Sequence, residues 1–402
     1  MSDPFGQIGQ FLLNLLIGWG LEAGLAAFLL KLVGAAALGI GALFSTFLLI
    51  WGERKLLARL QDRLGPNRLG PFGILQTVGD FAKLVTKEII IPSGADKVVF
   101  LLAPMLVVMS VVGAWAVIPF APGFIGTDIN VGVLYIVSVG GIGILGIMLA
   151  GWASNNKYSL LGAFRAVAQL VSYEVPMVLV LLVPVMLTGS MGLGAIVEAQ
   201  SPIPYVVLAP LAALLFYISS LAENGRAPFD LMEAESEIAT GFNIEYTALM
   251  FGMFFVAEFL HAFAVSALMA TLFLGGWRGP GAEAYPLLGL VYFFIKTSIV
   301  WFSIIWVRMS LPRVRIDQML ALNWKLLTPV ALSVVVVTAV AEKLAPAAPL
   351  GRALVLLGAN GVVLGIAVLG LAAYGRTRRE RPVFGPAGTG APASPSIQAS
   401  AR

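Results

Sequence analysis

No cysteine occurs in this chain, and histidine occurs once, at His261. Thiolate-ligated iron–sulfur clusters, structural zinc and c-type haem need sets of Cys or His that are missing here, so any redox centre this protein serves belongs to a partner. A lone imidazole is not a metal site. Charge is scarce as well: only 11% of residues are Asp, Glu, Lys or Arg, too few to cover a water-soluble domain of this size. The N-terminal stretch MSDPFGQIGQFLLNLLIGWG carries an acid where a secretory signal needs basic residues and shows no small-residue cleavage motif, so it is expected to be retained.

What the chain has in excess is apolar surface. Hydrophobic residues make up 59% of its 402 residues, and the mean hydropathy is +0.93. The bilayer is therefore its solvent, and an all-α polytopic membrane protein is expected. Apolar runs long enough to cross roughly 30 Å of hydrocarbon lie near 22–51, 98–119, 131–153, 166–188, 204–222, 248–275, 286–307, 326–344 and 353–374, which predicts nine spans. The positions of positive charge agree with nine. With the N-terminus outside, all but five of the 25 Lys and Arg fall in the inner segments and the tail from 375. The exceptions are Lys31, Arg278, Lys296, Lys343 and Arg352. An outer N-terminus and a cytoplasmic C-terminus follow as expectations. Residues 1–21 read as an N-terminal extension, 22–375 as a single transmembrane domain, and 376–402, rich in Pro, Ala, Ser and Gly, as a disordered tail.

The first inner loop opens WGERKLLARLQDRLGPNRLGPFG. Arg54, Lys55, Arg59, Arg63 and Arg68 form a basic stripe that runs into Gly65-Pro66-Asn67 and Gly70-Pro71, a turn no helix can continue through. Snorkelling to lipid headgroups accounts for the charge but not for so rigid a turn. The following FGILQTVGDFAKLVTKEII places Ile74, Leu75, Val78, Ala82, Val85 and Ile89 on one helical face and Asp80, Lys83 and Lys87 on the other, the pattern of an amphipathic interfacial helix.

Ionisable residues within or beside the spans are Glu53, Glu174, Glu223, Glu258, His261 and Lys296. Each costs about 2.5 to 3.5 kcal/mol at mid-depth on insertion scales, which makes each a functional candidate unless it snorkels. Glu174 lies two residues before Pro176, which frees a backbone carbonyl. Glu258 and His261 are three apart and share a face, so one is expected to set the protonation of the other. The densest acidic stretch is ENGRAPFDLMEAESE, with Glu223, Asp230, Glu233, Glu235 and Glu237 around a single Arg226. If 230–245 is partly helical, Glu233 and Glu237 form an i, i+4 like-charge pair that opposes the helix by roughly 0.2 to 0.5 kcal/mol. Such a cluster is either a solvated acidic loop or a coupled set of carboxylates that holds protons, a relay or charge sensor at the inner mouth of a membrane path.

Several long motifs, ERKLLARLQDRLGPNRLGPFGILQ, GWASNNKYSLLGAFRAVAQLVSYEV, AENGRAPFDLMEAESE followed by GFNIEY, and LFLGGW, resemble in order the H-subunit family of bacterial NADH-quinone oxidoreductase, respiratory complex I. The resemblance spans about Leu21 to Tyr374 and extends to the mitochondrial NADH dehydrogenase subunit 1 family. It implies a multi-pass subunit of the bacterial inner membrane that carries no cofactor, borders the quinone cavity and couples quinone reduction to proton translocation. Quinone, ubiquinone or menaquinone, is the implied substrate, and NAD, FMN and the iron–sulfur clusters are implied in partner subunits. Those partners are hydrophilic subunits bearing the terminal cluster, together with antiporter-like and small membrane subunits. Membrane lipid surrounds the spans, and no nucleic-acid partner is expected. By motif, Glu53, Arg54 and Arg68 are implied at the quinone entrance. Asp80, Glu174, Glu223, Asp230, Glu233, Glu235, Glu237, Glu245 and Glu258 are implied in an acidic funnel, with Arg226 as counter-charge. One departure stands out: some relatives carry a glutamate in the third span, where this chain has Gly140-Gly141.

Three other readings remain open on the residues. The homologous membrane component of membrane-bound hydrogenases resembles the same family. A secondary transporter also uses broken helices, and Pro176 and Pro184 in one span suit one, but it predicts an internal inverted repeat that the chain does not show. A passive anchor would tolerate loss of its buried acids with only assembly affected.

Overall fold

In the computed structural model the chain is a bundle of long helices, described for residues 4–234, 237, 239–346 and 348–379. Helix α1 (Pro4–Gly18) occupies most of the expected N-terminal extension, and α2 (Ala23–Leu60) follows. At 38 residues, α2 is roughly 57 Å long, far more than a bilayer crossing needs. Its surplus carries Glu53, Arg54, Lys55 and Arg59 beyond the apolar stretch, so the expected basic stripe begins as helix. The glycines then stop it: Gly65 has φ 66°, and a Cβ there would stand 2.9 Å from Ala58 Cβ. Trp51 Nε1 donates to Phe72 O at 3.1 Å and ties the turn back to α2.

The expected amphipathic segment is α3 (Gln76–Thr86), a separate short helix packed on α2 and α10 (Ala248–Phe273). Its apolar stripe stays on the outer side, as an interfacial helix requires. Thr77 is buried and the Phe81 ring packs edge-on against Phe47, 5.5 Å between centroids, while Val78 and Val85 point away from the bundle.

Helices α4 (Lys97–Trp115), α5 (Gly132–Ala153), α6 (Lys157–Thr188), α10 and α11 (Pro286–Ser310) form the centre. A short hairpin of β1 (Pro119–Ala121) and β2 (Phe124–Ile125) follows α4. Small residues let α4 and α5 approach: a Cβ on Gly146 would stand 2.6 Å from Val107 Cγ2. Among the described residues, eight helices are long and apolar enough to cross a membrane, which shows the all-α polytopic class. The run expected at 204–222 is present but interrupted, as α8 (Tyr205–Leu208) and α9 (Pro210–Glu223), after the short α7 (Leu193–Ala199). Pro210 has no N–H to continue the ladder, and Ala209 before it leaves the helical region at φ −136°. The run expected at 326–344 is longer, from α12 (Ile316–Leu322) through a π-helical turn at Asn323–Leu327 into α13 (Thr328–Leu344). Helix α14 (Pro349–Arg379) enters the first residues of the expected tail; 380–402 lie outside the described residues.

Residues 224–247 form no helix where they are described, contrary to the partial helix expected at 230–245. Their backbone turns back through a Glu233–Gly241 antiparallel bridge and an Ala234 N–H to Thr240 O bond of 2.6 Å. One face of α6 fixes this loop. Asn156 donates to Glu245 at 2.5 Å, Ser159 Oγ to Phe242 O at 2.7 Å, Arg165 to Glu237 and to Ala239 O, and Gln169 Nε2 to both Ala222 O and Phe229 O, at 2.7 and 2.8 Å. Between them Gly162 meets Gly241 so closely that a Cβ would stand 2.4 Å from its carbonyl carbon. The loop's polar backbone is satisfied by side chains spaced three or four apart on one helix face.

Candidate functional site

Glu53 on α2 is 3% exposed, deep enough that its charge requires compensation. Two guanidiniums converge on its Oε1: Arg226 Nη1 donates at 2.6 Å and Arg308, near the end of α11, donates from the other side. Arg226 also places Nε 3.2 Å from Glu258 Oε1 on α10 and stacks over the Phe259 ring at 4.7 Å. Burial alone pulls the Arg226 guanidinium down, but the charges of Glu258 and Glu53 more than reverse this, so it stays above the ordinary arginine range and remains a cation. Two carboxylates and two guanidiniums from four chain segments thus make one cluster, buried at Glu53 and Arg226 and half-buried at Glu258 and Arg308. Local geometry aims Arg226 inward: Gly225, at φ 59°, ends α9, and Asn224 Nδ2 caps it on Ser220 O at 2.8 Å.

This cluster forms one wall of a cavity of about 640 Å³. Around it stand Arg54, Glu174, Glu223, Asp230, Glu233 and Arg313, with Asn243 donating to Glu233 at 2.9 Å. Farther into the bundle the lining turns aliphatic, with Val107, Ile136, Ile144, Val265 and Leu268. Gly140 lies on that wall, and a Cβ there would meet nothing within 4 Å. His261 faces Glu223 with Nε2 and Oε1 3.8 Å apart. This corrects the expected Glu258–His261 pair: the two share a face of α10, but Arg226 takes Glu258. Glu53 Oε2, Glu223 Oε2, Asn224 Oδ1 and Arg226 Nη2 are buried with no hydrogen-bond partner among the described residues.

The cavity therefore brings together Glu53, Arg54, Glu174, Glu223, Arg226, Asp230, Glu233 and Glu258 from the residues singled out in the sequence. Others stand apart. Asp80 pairs with Arg54 at 2.5 Å behind the cavity wall, Glu245 accepts from Asn156, Glu237 pairs with Arg165 at the exposed edge of the loop, and Arg68 is exposed on the turn after α2. Glu235 lies outside the described residues. Arg308, on the cavity wall, and Gln169, which holds the acidic loop, are positions that sequence reasoning misses. A signal for Gln169 exists, because Ser159, Gly162, Ala166, Gln169 and Tyr173 recur at helical spacing and are buried together. Arg308 has none beyond its place at the end of a span. Lys296, a deep candidate in the sequence, takes no part in the cavity. Its Nζ donates to the carbonyls of Leu274, Gly276 and Arg278 at 2.7, 3.0 and 2.7 Å.

Known proteins share this sequence over most of its length. A family model described as NADH dehydrogenase matches residues 33–339, a range that contains every residue of the cavity wall. The H subunit of NADH-quinone oxidoreductase from Dehalococcoides mccartyi (strain CBDB1) is 49% identical over 327 residues, 81% of this chain and 90% of its own length. The corresponding protein of Rhodospirillum centenum is 45% identical over 306 residues, covering 75% and 91%. That of a Geobacillus species is 45% identical over 312 residues, covering 76% and 93%.

Proposed function

The chain belongs to the NADH dehydrogenase family, and on that basis we propose that it is the membrane subunit of a proton-pumping NADH-quinone oxidoreductase in which the 640 Å³ cavity joins a quinone site to a proton path. The observation that carries this reading is Glu53. It is locked by two guanidiniums at one end of a cavity whose adjoining wall presents Glu223, Glu174 and His261 without such locks. In this arrangement Arg54, Glu53 and the exposed turn bearing Arg68 border the quinone entrance, as part of a site completed by neighbouring subunits. Asp230, Glu233, Glu258, Glu223 and Glu174 carry the proton path, with Arg226 as the fixed counter-charge. Asp80, through Arg54, and Glu237 and Glu245, through Arg165 and Asn156, hold the surrounding framework. The excess of Lys and Arg at the charged end of the bundle supports a cytoplasmic position for that end and an outer N-terminus.

Quinone reduction calls for two protons and places negative charge beside the acidic loop until they arrive. A unit charge appearing about 10 Å away, through an effective dielectric near 20, is worth about 1.7 kcal/mol, which changes the proton affinity of a nearby carboxylate more than tenfold. The partnerless oxygens of Glu53 and Glu223 supply acceptors for water within an otherwise apolar bundle. At Gly140, where some relatives place an acid, open space lets water carry that part of the path. The hydrogenase reading finds no comparable support, since the relatives named above belong to NADH-quinone oxidoreductase. The test is Glu223→Gln in the complete complex reconstituted into liposomes. Quinone reductase activity and proton pumping should fall together at least tenfold; full coupled turnover in the assembled variant would refute the path.

A further inference from the structure

Lys296 is a half-buried cation for which the proposed function has no use. It lies at mid-helix in α11, and among the described residues no carboxylate comes within ion-pair distance of it. Its neighbours are three backbone carbonyls, of Leu274, Gly276 and Arg278. Three acceptors match the three hydrogens of an ammonium. The chain is bent to build it: Gly275 and Gly276 adopt φ 75° and 50° directly after α10, and the alternate carbonyls of Leu274, Gly276 and Arg278 meet the ammonium. Lys296 stands twelve residues along α11 from Arg308, roughly 18 Å toward the opposite end of the bundle from the Glu53 cluster.

The order of residues along α10 connects this cage to the cavity. Glu258 and Leu268 line the cavity. Phe273 follows, fully buried, its ring 5.7 Å from that of Phe216, which closes the cavity wall from α9. Leu274, the next residue, supplies the first carbonyl of the cage. A proton leaving the cavity along α10 would meet an aromatic layer and then a fixed positive charge with no anion beside it.

We infer that Lys296 is a cationic barrier that keeps cavity protons from escaping at the far end of this subunit, so that they can be delivered only sideways, to neighbouring membrane subunits. This rests on the reading that the cavity carries protons, but it is tested without turnover and so fails separately from that reading. The complete complex, reconstituted into liposomes with an entrapped pH-sensitive dye, is given a pH step without NADH. Lys296→Gln, which keeps donors for the carbonyls but not the charge, should collapse the gradient at least fivefold faster than the native complex, while Lys296→Arg should not. Native gradient decay in assembled Lys296→Gln would overturn the barrier. Equal acceleration in both variants would also overturn it, because lost packing would then be the cause. Should the neutral variant not assemble, Phe273→Ala with Lys296 intact takes its place. Less than a twofold rise in decay rate supports the lysine as the barrier, and any larger rise overturns it in favour of the aromatic layer.

Discussion

Two cations stand at different levels of α10, one beside its middle and one past its end, and are neutralised in different ways. Beside its middle, Arg226 lies among the side-chain carboxylates of Glu53 and Glu258. At its end, Lys296 lies among backbone carbonyls. A carboxylate can gain or lose a proton, so the field at Arg226 can change during a reaction cycle. Carbonyl dipoles cannot titrate, so the field at Lys296 stays constant. The first arrangement suits a proposed relay that responds to charge, and the second suits a boundary that must not.

The sharpest way to break the comparison is to remove the cation at the charged end. Arg226→Met leaves Glu258 without its ion-pair partner and Glu53 with Arg308 alone, and losing one partner from a buried ionic cluster costs about 3–5 kcal/mol. The subunit should then disappear from assembled complexes, measured as the fraction of complex recovered from membranes; wild-type recovery would show that the cluster is not jointly stabilised. Next in size is Gly162→Ala. Its new Cβ would fall 2.4 Å from the Gly241 carbonyl carbon, and displacing that loop should cost about 1–3 kcal/mol of stability, read as a lower melting temperature of the complex. Retained stability with retained activity would show the loop to be free of α6. The smallest effects sharpen the contrast within the acidic loop. Glu233→Gln, on the cavity wall, should lower quinone reductase activity and pumping several-fold. Glu237→Gln removes an ion pair whose carboxylate side chain is 43% exposed, worth about 0–1 kcal/mol, and activity should stay within twofold of native. Equal losses in the two variants would erase the distinction between wall and edge.

Much of this architecture is legible in the sequence. Hydropathy marks the spans because hydrocarbon forces each crossing to be a long apolar helix, and the acidic stretch stands out because charge is rare elsewhere. What cannot be seen there is partnership. Arg226 and Arg308 reach Glu53 across 173 and 255 residues of chain, and no local periodicity encodes such a meeting. The Glu258–His261 expectation fails for the same reason: helical spacing identifies neighbours on one face, but a residue from another segment outcompetes the local pair.

By itself, the sequence determined that this is a membrane protein of long helices without a thiolate ligand of its own, since composition and the free energy of transfer into hydrocarbon settle those matters residue by residue. Only the tertiary structure decided which charges neutralise one another, which acids share a cavity, and that one lysine is held by backbone alone. Electrostatic interaction in a weakly screening interior depends on distances of a few ångström between segments far apart in the chain, and those distances exist only once the helices have packed.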